Sequence, residues 1–366
     1  MIFLSNISKL KKKSQIYDDK NNIINFNKII RFSNNIKNNF SKDKKLIIVF
    51  AENSIEFLMG YYSFLNSNLA QMLLSSQIAD DDLIKILNNY KPSYLYISEK
   101  KFMLKKIFFS QFKLLNKVKK NLILVNKKKN NYKIYKKLAL LISTSASTGS
   151  QKFVRISHDN LIDNTKKISQ ALRVTSSDTT ITTMPPNYTY GLSIINTHLY
   201  RGGNLIMTNQ SVFEKNFWKM VKKFNVTNIN GVPYFYEILK RLKISKEKIP
   251  HLKFFTSAGG ALDTKLYEYF KNFISKLNIK FFCMYGQTEA TARISILPHK
   301  FFFKKFGSIG KTLGGGSLYI DKNKDVGELC YKGKNVCLGY AKNFTDLAKK
   351  NINNGILKTG DLARKQ

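Results

Sequence analysis

Apolar positions in this chain come in short runs, and the runs alternate between two periods. From Lys45, KLIIVFAEN is a continuous apolar run closed by polar turn residues, which predicts a buried strand. Ser54 then stands at a helix-cap position ahead of Ile55, Leu58, Met59, Tyr62 and Leu65, which recur at helical spacing. LAQMLLSS predicts a second strand, and Asp80 to Asp82 open another helix at the end that favours carboxylates. Residues 94–97 and 122–125 read as two further strands. Strand and helix thus alternate, as in a parallel sheet covered on both faces. The Lys/Asn-rich stretch 126–137 reads as an exposed connection.

The alternation resumes with a helix over 158–172 and a strand over 179–184, which Pro185 and Pro186 end because proline cannot donate into a ladder. Gly202 and Gly203 close the next helix. Strands are then predicted at 204–208, 227–232, 253–257 and 280–285, with helices at 217–224, 234–242 and 264–277. Past Leu297, short β-like pieces separated by glycine (GSIG, SLYID, GELCYKG, VCLGY) predict a small distorted barrel. The expected fold class is α/β, with two doubly wound units in residues 1–300 that meet near residue 205. A barrel-like subdomain follows over residues 301–366.

Composition narrows the classes. A chain of 366 residues with 43% hydrophobic and 13% aromatic residues can build real cores, which excludes a disordered chain. No run approaches the roughly 18 apolar residues of a membrane span. The start, MIFLSNISKLKKK, places apolar residues before lysines, the reverse of a signal peptide. Cys283, Cys330 and Cys337 are odd in number, and with the four histidines they show no metal-ligand spacing. The expected compartment is the cytoplasm. The net charge of +39 invites a nucleic-acid reading, but lysine far outnumbers arginine and is scattered along the chain. Asn, Ile and Phe, which share A/T-rich codons with Lys, are abundant too. A coding bias therefore accounts for the charge better than phosphate recognition does, and no specific nucleic-acid partner is expected.

The stretch that carries chemistry is LISTSASTGSQKFVRISHDNL, residues 141–161. An apolar run delivers the backbone into small hydroxylated residues, which let successive N–H groups converge on an anion. Ser143, Thr144, Ser145, Ser147 and Thr148 add hydroxyls, Gly149 adds backbone freedom, and Lys152 adds a full positive charge. The spacing is not that of the Walker A loop, because no Ser or Thr follows Lys152.

This stretch resembles the phosphate loop of the adenylate-forming (AMP-binding) superfamily, which includes acyl-CoA synthetases. Ala146 stands where that family usually has Gly, and Gln151 where it usually has Pro. Four more stretches resemble the family's motifs in its order: SAGGALD (257–263), MYGQTEATARI (284–294), GELCYKGKNVCLGY (327–340) and KTGDLA (358–363). The resemblance covers about residues 45–363. It implies that Gly259, Gly260 and Ala261 lie against the adenine, that Tyr285 and Gly286 flank it, and that Asp361 accepts the ribose hydroxyls. By the same resemblance, Thr288 contacts the α-phosphate and Glu289 helps to hold Mg²⁺, so Lys152, Thr288 and Glu289 are the expected catalytic residues. In PPNYTYG, Tyr188 occupies the place of a histidine common in acyl-CoA synthetases. Tyr188 and Tyr190 line a carboxylate or acyl pocket with Tyr234 and Gly259, or else are core tyrosines. Arg293 offsets substrate charge or is simply solvated.

The implied activity is ATP-dependent activation of a small carboxylic acid, with ATP/AMP and Mg²⁺ as cofactors and coenzyme A or a carrier-protein thiol as acceptor. Family members continue past T-G-D into a hinge and a C-terminal domain with a catalytic lysine, whereas this sequence ends in ARKQ. The expectation is therefore a ligase incomplete without that domain, with a separate chain that supplies it, or a carrier protein, as a candidate partner. A nucleotide-binding relative with little turnover is the alternative. A basic nucleic-acid-binding protein would explain the charge but none of the five motifs.

Overall fold

A computed structural model describes residues 14–144, 152–321 and 325–365. Two large sheets dominate it. The eight-stranded sheet runs in the order Tyr340–Ala341, Phe153–Ser157, Leu138–Ser143, Leu69–Ser75, Lys45–Ala51, Tyr94–Ser98, Asn121–Asn126, Phe112–Val118. Its central strand shows why a continuous apolar run was needed. Leu46, Ile48 and Phe50 enter one core, while Ile47 and Val49 enter the other, as the period of two dictates. Ser54 caps the helix Ile55–Asn66 by accepting from the Phe57 N–H at 3.0 Å, and that helix is buried along nearly its whole length.

The nine-stranded sheet runs Lys311–Thr312, Ser295–Leu297, Lys280–Tyr285, Phe254–Ser257, Asn228–Gly231, Thr179–Ile181, Asn204–Met207, Gln15–Asp18, Ile23–Asn25. Its middle strands pair in parallel. Their two faces feed separate cores: Phe255 and Phe281 lie in one, Phe254 and Met284 in the other. The segment expected to be barrel-like contains a three-stranded antiparallel sheet, Ser317–Ile320, Val326–Lys332 and Ile356–Arg364. Among the described residues, no helix is long and apolar enough to cross a membrane.

Three features depart from the parallel pattern that the sequence predicts. Phe112–Val118 forms an antiparallel hairpin with Asn121–Asn126, turning through Lys119 at φ 52° without a glycine. Phe153–Ser157 runs antiparallel to Leu138–Ser143, so the expected phosphate loop joins two adjacent strands. An N-terminal hairpin, Gln15–Asp18 and Ile23–Asn25, extends the second sheet. The two sheets also exchange outer strands with distant parts of the chain. The edge strand of the first comes from Tyr340–Ala341, and the second takes Gln15–Asp18 beside Asn204–Met207.

Candidate active site

Parallel α/β sheets present their ligand-binding loops at the carboxyl ends of their strands. Gly259, Gly260 and Ala261 follow one residue after the strand Phe254–Ser257, and all three are exposed. Gly259 has φ +84°, and a Cβ there would lie 2.7 Å from the Tyr188 hydroxyl, so the position requires glycine on both counts. The next strand, Lys280–Tyr285, delivers Tyr285, and Gly286 follows where a Cβ would overlap the Ala292 carbonyl. The Tyr188 hydroxyl can approach Gly259, and the Ala292 backbone can approach Gly286, only because these positions lack side chains.

Tyr285 and Asp361 meet across 76 residues of sequence: the phenol donates to Asp361 Oδ2 at 2.5 Å. Burial and this carboxylate together push the Tyr285 phenol above its ordinary pKa, so it remains a donor. Gln287 completes the arrangement, with Nε2 donating to Thr359 O at 2.7 Å and to Asp361 Oδ2 at 3.0 Å. Asp361 is itself exposed, so an edge of its carboxylate faces solvent.

Beside this cluster, Thr288 and Glu289 lie in a short 3₁₀ turn, Thr288–Ala290. The Thr288 hydroxyl is 3.4 Å from that of Thr189, the first residue of the helix Thr189–Tyr200. Glu289 Oε1 accepts from the Tyr340 hydroxyl at 2.7 Å, and the Lys152 ammonium sits 4.6 Å from the centre of the Tyr340 ring. Tyr340 thus ties the lysine from the loop to the signature carboxylate. Ser143 ends its strand exposed, and Thr144 is half-buried. Ser145, Ser147, Thr148 and Gly149, like Ala146 and Gln151, lie outside the described residues.

The three tyrosines assigned to an acyl pocket separate. Tyr188 and Tyr190 are edge-to-face at 6.3 Å, and Tyr190 is buried, donating to Thr256 O at 2.8 Å. Tyr234 is 62% exposed at the start of the helix Pro233–Arg241. Arg293 is not solvated: it is 2% exposed, and its Cζ lies 3.7 Å from the Tyr190 ring centre. Burial pulls its pKa down, yet a guanidinium remains protonated in proteins.

A family described as AMP-binding enzyme matches residues 29–341, most of the chain. This chain belongs to the AMP-binding enzyme family. Among curated members, oxalate–CoA ligase of Saccharomyces cerevisiae is 26% identical over 215 residues, 56% of this chain and 38% of that protein. A 2-succinylbenzoate–CoA ligase of Bacillus cereus is 30% identical over 231 residues, 61% of this chain and 46% of that one. The matched stretch thus spans less than half of either relative. Solved structures of similar fold cover more. VinN superposes with a TM-score of 0.78 at 18% identity, over 99% of this chain and 95% of that one. ATP-bound MatB from Rhodopseudomonas palustris gives a TM-score of 0.78 at 20% identity, over 99% of this chain and 76% of that one.

Three of the residues joined here were not singled out from sequence as members of the site: Thr189, Tyr340 and Gln287. Tyr340 ends the GELCYKGKNVCLGY stretch, and Gln287 sits inside the Y-G-x-T-E signature, so position in a motif was the available signal. If Asp361 receives a ribose, Asp361→Ala weakens ATP binding by about tenfold, as loss of a charge-assisted hydrogen bond does. Titration calorimetry checks this, and unchanged affinity would remove Asp361 from the nucleotide site.

Proposed function

We propose that this chain activates a carboxylic acid with ATP. A carboxylate oxygen attacks the α-phosphorus, the bond to the bridging oxygen breaks, and the products are an acyl adenylate and pyrophosphate. The acyl group then passes to the thiol of coenzyme A or of a carrier protein, with release of AMP. The observation that carries this reading is the convergence of Tyr285, Gln287 and Asp361 beside Thr288 and Glu289, with Lys152 reaching the same carboxylate through Tyr340.

Each group has a role that its chemistry fits. The exposed glycines Gly259 and Gly260 leave bare backbone for a flat base, and the Asp361 carboxylate accepts paired hydroxyls. Thr288 donates a hydrogen bond to the α-phosphate, and Lys152 neutralises charge on the phosphate tail. In-line displacement needs chiefly positioning and charge neutralisation, which these groups supply. No group of three or more His, Cys, Asp or Glu side chains among the described residues could hold a metal by itself. Glu289 would hold Mg²⁺, which would supply charge neutralisation for the phosphate tail. The reaction is placed in the cytoplasm, where ATP and coenzyme A are available.

The test is ATP–pyrophosphate exchange across a panel of carboxylic acids, with calorimetry of ATP binding alongside. Acid-dependent exchange is expected. Folded protein that binds no ATP at millimolar concentration would overturn the reading.

A further inference from the structure

Arg293 is a buried cation without a counter-ion. Its Nε meets Met284 Sδ at 3.4 Å, its plane lies over the Tyr190 ring, and the polar groups that act on it are the phenols of Tyr190 and Tyr188. No carboxylate stands among these partners, and the residues outside the described set carry no Asp or Glu side chain. A guanidinium has five N–H donors, Met284 Sδ and the Tyr190 phenol are weak acceptors for them, and burying a cation with no opposing charge is unfavourable. Stacking on one tyrosine offsets only part of that cost. An uncompensated buried cation beside a ligand site is the arrangement expected where the ligand brings the anion.

The surroundings say which part of the ligand that is. Arg293 lies against Tyr190 and Met284, which share a core cluster with Ala258 and Ala292 and with Tyr188 packed on it. Consecutive residues at the start of one helix divide the space. Thr189 turns its hydroxyl to Thr288, where the α-phosphate is proposed to lie, whereas Tyr190 reaches down to Thr256 on the sheet and carries Arg293 with it. A reacting carboxylate gripped by Arg293 would be held on the Tyr190 side rather than at Thr288. Its oxygens, tied to a guanidinium, would also make a weaker nucleophile.

We propose that the acid activated is a dicarboxylate with a short apolar middle. One carboxylate reacts at the Thr288 end, and the other pairs with the Arg293 guanidinium beside Tyr190. The inference rests on the acid-activating reading above and names its substrate class. Arg293 is then the specificity-determining residue, and Met284, Ala258 and Ala292 cover the methylenes between the two ends.

The test compares succinate, glutarate and adipate with their monoamides, which keep the shape and remove the second charge. Calorimetry in the presence of AMP reads acid binding without requiring turnover, and ATP–pyrophosphate exchange reads it with turnover. At least one diacid should bind about 30-fold tighter than its monoamide, as a charge-assisted pair implies. Arg293→Gln should remove that preference while leaving AMP binding unchanged, and Arg293→Lys should retain part of it. Equal affinity for diacid and monoamide in the wild-type protein overturns the proposal, as does an Arg293→Gln protein that keeps the preference. Should Arg293→Gln fail to fold, the wild-type comparison and Arg293→Lys decide. Folded protein that binds neither ATP nor AMP would instead overturn the reading beneath it.

Discussion

Glu289→Gln is expected to slow magnesium-dependent adenylate formation by about 100-fold or more, with little change in thermal midpoint. The substitution keeps the size of the side chain and keeps an oxygen that can accept from Tyr340, 2.7 Å away. The structural bond at this residue is made by its backbone, whose carbonyl accepts from the Cys337 N–H at 2.7 Å. What is lost is the negative charge, and with it, on the proposed reading, the means of holding Mg²⁺. Exchange rates measured against magnesium concentration, beside a melting curve, separate the two roles. Parallel losses of stability and activity would make Glu289 a structural residue.

The largest expected effect on stability lies elsewhere, at Arg155. It is fully buried in Phe153–Ser157, and its guanidinium donates to the carbonyls of Lys349 at 2.5 Å, Leu338 at 2.9 Å and Lys350 at 3.1 Å. These carbonyls belong to the segment around the strand Tyr340–Ala341, so one side chain clamps the edge of the first sheet. Arg155→Met fills most of the volume but leaves the three acceptors without their donor. A loss of about 1–3 kcal/mol follows, because the Leu338 carbonyl keeps the Ile352 N–H and the Lys349 and Lys350 carbonyls belong to exposed residues that water can reach. Urea denaturation should show a lower midpoint, with the slope nearly unchanged. A loss under about 1 kcal/mol would mean that the backbone ladder alone holds the edge. Nucleotide binding should weaken as well, because Tyr340 positions Lys152.

The strands buried on both faces were legible in the sequence because Lys45–Ala51 and Leu69–Ser75 are mostly apolar runs, the second broken only by Gln71 before its last serine. Phe153–Ser157 was missed for the opposite reason. It carries Arg155 at its centre, and only the structure shows that carbonyls from residues 338–350 accept from its two terminal nitrogens. The short N-terminal strands and the hairpin of Phe112–Val118 lack both alternation and a glycine turn. In the site, the Y-G-x-T-E signature and Asp361 were legible as motifs. The bond from Tyr340 to Glu289 spans 51 residues and that from Gln287 to Asp361 spans 74. Periodicity reports neighbours one turn or one strand away, so it is silent on such meetings. Arg293 was left open between two readings because a sequence gives no depth, and its burial depends on how the signature hairpin packs under Tyr190.

The exchange of outer strands has a consequence for how the protein is made. Phe153–Ser157 leaves the ribosome long before Tyr340–Ala341, the strand that covers it. At ordinary elongation rates the wait is on the order of 10 s, far longer than a hairpin takes to form. Throughout that interval the nascent first sheet offers a row of unpaired N–H and C=O groups, open to any passing strand. Arg155 also lacks its carbonyl acceptors until residues 338–350 have been added. Translation that stalls before residue 340 would therefore release an adhesive half-sheet, and aggregation of such fragments would begin at that edge.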